Sequence, residues 1–92
     1  MNIRFEYDHK KSAANFEKHG ITFEEGASVF DDPQAIEIRA KKVDQEDRFA
    51  VMGVYGGKVW TVIFTVRGPR KRIISIRRAR REEVEFYEKN IA

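Results

Sequence analysis

Apolar and polar residues alternate at the start of the chain. Ile3, Phe5 and Tyr7 fall on one side and Arg4 and Glu6 on the other, which predicts a strand buried on one face. Asp8 is placed to cap a helix running to about His19, and Gly20 stands where a left-handed C′ residue is wanted. That puts Phe16 at C3 and Ile21 at C″, the apolar pair of a Schellman closure. Thr22 opens a second helix as a capping box with Glu25, and Phe23, Ala27 and Phe30 share its apolar face. Asp31-Asp32-Pro33 stops it. Acids are unfavourable at the negative end of a helix dipole, and a residue before proline is pushed out of helical geometry.

Residues 35–39 read as a short strand and 40–47 as a charged loop. Residues 48–55 and 58–67 form a hairpin about Gly56-Gly57. Gly68-Pro69-Arg70 turns the chain into a strand over 71–78, and 80–90 is a helix with Val84, Tyr87 and Ile91 on one stripe. The order β-α-α-β-β-β-β-α, with a largely antiparallel sheet packed on helices, is α+β. Strand alternation puts Trp60, Val62, Phe64 and Val66 on one face and Thr61, Ile63, Thr65 and Arg67 on the other. In the next strand Ile74 and Ile76 share one side, and Ile73, Ser75 and Arg77 the other. Thr65, Arg67, Ser75 and Arg77 are therefore expected on one wet face, with Arg67 and Arg77 converging on a single phosphodiester.

Composition narrows the class. Ninety-two residues make one domain, 1–92, and an apolar share of 41% with seven Phe, three Tyr and one Trp supplies one core. The lack of cysteine favours a reducing cytosol and excludes thiol chemistry. The charged, alternating first residues do not look like a signal peptide, and no apolar run reaches the ~18 residues of a membrane span. A cytoplasmic protein with no membrane partner is expected.

The net charge of +3 hides a steep asymmetry. Residues 1–66 carry nine Lys/Arg against eleven Asp/Glu, residues 82–92 one against four. Between them Arg67, Arg70, Lys71, Arg72, Arg77, Arg78, Arg80 and Arg81 stand without an acid. Such a run is either a solvated face matched to acidic protein or a nucleic-acid contact, and arginine suits two-pronged grip on phosphate.

RNA can be cleaved without metal by activating the neighbouring 2′-hydroxyl, provided the site also stabilises the phosphorane and protonates the leaving oxygen. Arg67 and Arg77 suit charge stabilisation. His19, Tyr87, Glu46 or Lys18 could act as base or acid; His19 has a near-neutral pKa, but also sits where an imidazolium favours the helix dipole. His9, one step into a helix, reads as solvent-facing. Tyr87 also reads as core. No metal-spaced Cys/His set, HExxH or phosphate loop stands out. Asp44, Glu46 and Asp47 read as loop charges rather than a magnesium site.

Several stretches together resemble the BrnT toxin family. They are Phe5-Glu6-Tyr7-Asp8, Lys11, Asn15 and Lys18-His19-Gly20; Phe23, Ala27 and Val29-Phe30-Asp31-Asp32-Pro33; Glu46, Arg48 and Gly53; and Thr65-Val66-Arg67, Arg72-Ile73-Ile74-Ser75-Ile76-Arg77, Ala79, Glu83 and Tyr87. Tyr7 stands where the family commonly has Trp, and Ile76, where it commonly has Ala, adds bulk on the core side. The resemblance implies a RelE-like ribonuclease fold and cleavage of cellular RNA to arrest growth; from the residues themselves no metal or other cofactor is expected. It also implies neutralisation by a ribbon-helix-helix antitoxin, BrnA-like, through which operator DNA is bound. By position it offers Lys18, His19, Glu46, Arg67, Arg77 and Tyr87 as catalytic candidates. Arg48, Arg70, Arg72, Arg78, Arg80 and Arg81 are the RNA-binding candidates. The alternatives are a non-catalytic nucleic-acid or ribosome-binding module and a protein-interaction module that masks an acidic partner.

Overall fold

The computed structural model describes residues 4–91. Strand β1 (Phe5–Glu6) leads into helix α1 (His9–His19), then α2 (Phe23–Gly26) and a 3₁₀ turn over Ala27–Asp31. Strands β2 (Ile36–Val43), β3 (Glu46–Tyr55), β4 (Lys58–Arg67) and β5 (Arg70–Arg78) follow, and α3 (Arg81–Ile91) ends the described chain. The strands form one mixed sheet in the order β1-β5-β4-β3-β2, with β1 parallel to β5 and the other neighbours antiparallel. The architecture is α+β. Ile3, expected in the first strand, lies outside the described residues. Among the described residues no helix is long and apolar enough to cross a membrane.

Local chemistry sets the helix ends. The Asp8 carboxylate accepts from the Lys10 and Lys11 N–H groups, and Thr22 and Glu25 satisfy one another's backbone donors in a complete capping box. Gly20 has φ 77°, and its N–H donates to the Phe16 carbonyl at 2.8 Å. That single bond is the αL cap rather than the expected Schellman closure. Ile21 is buried in the core while Phe16 stays half exposed.

Residues 40–47 are not a loop. β2 continues to Val43, and Asp44 and Gln45, with φ of 49° and 64°, make a two-residue hairpin turn into β3. The charges of this stretch sit on the outermost strand, where exposed Lys and Arg discourage pairing with another chain.

One sheet face carries the main core: Val51 from β3, Trp60, Val62 and Phe64 from β4, and Ile73 and Ile76 from β5. It is closed by Ile21, Phe23 and Val29. The placement of Ile73 corrects the alternation expected for β5. Ser75 pairs with Ile63 and Ile73 with Phe64, so Ile74 is an extra, bulged residue that reverses parity on its N-terminal side. Val29 is fully buried although it lies off the helical stripe predicted for residues 23–30, because the chain tightens into 3₁₀ geometry after only four α-helical residues.

Gly26 shows how closely these layers meet. A Cβ built there would lie 1.9 Å from Ile76 Cδ1, and Ile76 is fully buried. The bulk that Ile76 brings is thus seated on a residue without a side chain. Gly26→Ala is expected to destabilise by about 1–3 kcal/mol through overpacking, and Ile76→Ala by roughly 2–5 kcal/mol through a cavity. The double variant should lose clearly less than the sum, as measured by chemical denaturation; additive losses would mean the two sites are not in contact.

Candidate functional site

The sheet face opposite the main core carries the charges. Phe49 pairs with Phe64 on the core side, so Arg48 on β3 and Thr65 on β4 point to the other. Thr65 in turn pairs with Arg72 on β5, which the bulge has rotated to this face, and Arg67 with Arg70 at the β4–β5 turn. The first turn of α1 adds Asp8 and Lys11 from beside the sheet. Together Lys11, Glu46, Arg48, Arg67 and Arg72, with Asp8, Thr65, Ile73 and Ile74, line a cavity of about 180 Å³.

Within it four cations face two carboxylates. Asp8 is occupied as a helix cap, and the N–H groups of Lys11 and Lys10 hold its carboxyl below the usual carboxylate range. Arg72 is held on one side by Glu6 at 2.9 Å. Glu46 lies between two guanidiniums, with Oε1 3.7 Å from Arg48 Nε and Oε2 3.7 Å from an Arg67 terminal nitrogen. Those separations give Coulomb attraction but no hydrogen bond. Arg48 Nε is buried and has no hydrogen-bond partner among the described residues. A buried donor left without an acceptor costs ~1–3 kcal/mol, which the charge of Glu46 at 3.7 Å offsets in part. The Thr65 hydroxyl donates to the Asp47 carbonyl at 2.8 Å and fixes the floor between β3 and β4.

Of the residues singled out from sequence, the groove gathers Glu46, Arg48, Arg67 and Arg72. It does not gather Arg77. Arg77 shares the sheet face with Arg67 but stands opposite Thr61, six residues along β4 from Arg67, or roughly 20 Å. Its guanidinium makes a two-pronged pair with Glu83 at 2.7 and 3.0 Å. The expected convergence of Arg67 and Arg77 is therefore corrected. Tyr87 is buried, and its hydroxyl donates to Asp32, which also accepts from the Val54 N–H. Burial, with the Asp32 carboxylate, pushes the phenol up to about 12. Lys18 and His19 end α1, about 10–12 Å along its axis from Lys11.

The remaining arginines disperse. Arg70 is exposed at the turn beside Arg67. Arg78 lies over the Trp60 ring at 5.4 Å, Arg80 gives its backbone N–H to Glu83, and Arg81 pairs with Glu85 on the helix surface. Lys11 and Asp8 entered the sequence reading only through the family likeness and as a cap. Lys11 lies one turn into a helix, and nothing local shows that this turn abuts the sheet.

Glu83 joins Arg77, the Thr61 hydroxyl and the Arg80 N–H. The Arg77 hydrogen bonds chiefly hold its carboxyl down to about 2, against an ordinary 4.5. Because the folded value is the lower one, this stabilisation is complete above about pH 4.5 and is lost as the pH falls toward 2. Glu83→Gln is expected to cost about 2–3 kcal/mol at pH 7 and to flatten the acid limb of a Tm–pH profile; an unchanged limb would show that the pair is not linked to folding.

No curated protein matches the chain. A family model described as the ribonuclease toxin BrnT of type II toxin–antitoxin systems matches residues 7–83. That range begins just after β1 and takes in both N-terminal helices, the four long strands and the Glu83 clip, with every residue of the groove. Covering well over half of its length, the match places the chain in the BrnT family of type II toxin–antitoxin ribonuclease toxins.

Proposed function

We propose that the chain is a RelE-like endoribonuclease that cleaves RNA without metal in the groove formed by Lys11, Glu46, Arg48, Arg67 and Arg72. The observation that carries the reading is the gathering of Lys11, Arg48, Arg67 and Arg72 around one groove, with Glu46 near two of the guanidiniums but hydrogen-bonded to neither. Phosphate oxygens accept from the clustered guanidiniums, which supply the charge stabilisation that a metal otherwise gives. Glu46 takes the proton of the 2′-hydroxyl, whose oxygen attacks phosphorus. The bond to the 5′-oxygen breaks, and that oxygen receives a proton from Lys11. The products are a 2′,3′-cyclic phosphate and a 5′-hydroxyl. Arg48, Arg67 and Arg72 hold the added negative charge of the phosphorane.

The partner in this reading is a ribbon-helix-helix antitoxin of the BrnA kind. It inhibits by covering the cationic groove and carries operator binding itself. A free toxin acting on cellular RNA works in the cytoplasm.

The purified chain is expected to cleave RNA in the presence of EDTA and to leave cyclic phosphate ends; complete loss of cleavage in EDTA would sink the metal-free scheme. Arg67→Ala should lower kcat by about 10²–10³-fold, and Glu46→Gln by roughly 10²–10⁴-fold. Arg77→Ala should lower thermal stability while its cleavage per folded molecule stays near that of the unaltered chain. The reverse ranking of Arg67→Ala and Arg77→Ala would move the site to the other end of the sheet.

A further inference from the structure

The groove is as informative for what it lacks as for its charge. Proteins that read single-stranded RNA by sequence splay a base out, stack it on a ring and bond its edge. Among the described residues no aromatic side chain lines this groove, and no Asn or Gln amide does either. Ile73 and Ile74 add only apolar lining, and the Thr65 hydroxyl proton is already given to a backbone carbonyl. Phe64, Phe23 and Trp60 are buried in the core on the other side of the sheet. The groups that remain are guanidiniums, an ammonium and carboxylates, which recognise phosphate and hydroxyl. Guanidinium stacking, where it occurs, tolerates any base.

Size agrees with chemistry. At about 180 Å³ the groove holds about six water volumes of ~30 Å³, and it falls short of the ~300–1,000 Å³ of sites that enclose a drug-sized ligand. A phosphodiester with the edge of its ribose fits this space.

We infer that the groove binds the sugar–phosphate backbone alone and leaves the bases outside, so that this chain by itself acts on RNA with little regard to base identity. This rests on the groove being the RNA site. It follows that any strong sequence preference of cleavage in the cell is supplied by whatever presents the RNA. Within the chain, affinity is mainly electrostatic. Four groove cations give a log–log salt slope of about −3 on single strands, the same for every sequence.

The test uses the unaltered full chain and single-stranded RNA 12-mers that differ only in the central dinucleotide, covering all sixteen steps. Cleavage rates from sequenced ends are expected to agree within tenfold. A step favoured by more than tenfold on the isolated chain would overturn the inference, since that is what one good base-edge contact confers. Binding of the same oligonucleotides, followed by fluorescence anisotropy against salt, is read in parallel. Dissociation constants within tenfold and a shared slope near −3 support the inference, and a base preference beyond tenfold overturns it. Base-blind binding without any cleavage would refute the ribonuclease scheme while leaving the inference standing. Arg67→Ala/Arg72→Ala should weaken binding of every sequence alike; a loss confined to some sequences would count against it.

Discussion

One extra residue in β5 decides both sides of the sheet. In an unbroken strand, Arg70, Arg72, Ile74 and Ile76 would share a face. Ile76 is fixed in the core over Gly26, so Arg72 would then point under the helices, where an unpaired guanidinium is strongly unfavourable. The bulge at Ile74 lets Ile73 and Ile76 both enter the core and returns Arg72 to the face of Arg48, Thr65 and Arg67. Core closure and groove assembly are thus two results of the same backbone irregularity. Bulges recur where a side chain has to be re-aimed next to a functional site, and this one aims a cation.

The same face is divided between two uses of charge. At one end the cations are open to a ligand. At the other, α3 is tied down by polar contacts more than by apolar burial. Tyr87 is the buried residue of that helix, while Phe86 and Ile91 are 42% and 38% exposed. Two carboxylates compensate. Glu83 collects Arg77, Thr61 and the Arg80 N–H, and Asp32 collects Tyr87, Val54 and Gln34. Burial works to raise the Asp32 carboxyl, but the hydrogen bonds from Tyr87, Gln34 and Val54 hold it below its ordinary value. The basic run of residues 67–81 is therefore not one surface. Arg67 and Arg72 reach the groove, Lys71 lies over the Phe30 ring, Arg77 serves α3, and Arg78 covers Trp60.

What could be read from the sequence follows this division between local and cross-strand causes. The Asp8 cap, the Thr22–Glu25 box, Gly20 and the Gly56-Gly57 hairpin depend on neighbours within a few residues, and all were legible. The order of elements followed from them. The bulge was not legible, because a run such as Arg72-Ile73-Ile74-Ser75-Ile76-Arg77 alternates acceptably in either parity, and only pairing with β4 shows which residue is extra. The fate of Arg77 was hidden for a similar reason: its partner lies on a helix whose docking is tertiary. Residues 40–47 misled because charge on an edge strand has the composition of a loop. In the groove itself Glu46, Arg67 and Arg72 were found by type and position and Arg48 through the family likeness, whereas Lys11 depended on where α1 rests.

Glu46 shows why the groove favours exchange over rigidity. A carboxylate hydrogen-bonded to both arginines would satisfy them and resist any incoming anion. At 3.7 Å from each it screens their mutual repulsion without saturating their donors, and the buried Arg48 Nε remains unmet. Arg72 is restrained from the outside by Glu6, so it too is positioned before a ligand arrives. Such a site has already incurred the unfavourable terms of gathering like charges and drying a donor. An oxyanion entering it relieves the first, and the relief grows as negative charge accumulates on that oxyanion. In the proposed scheme, binding energy of this kind rises toward a phosphorane rather than toward the resting phosphodiester, which is the condition for a binding groove to be a catalytic one.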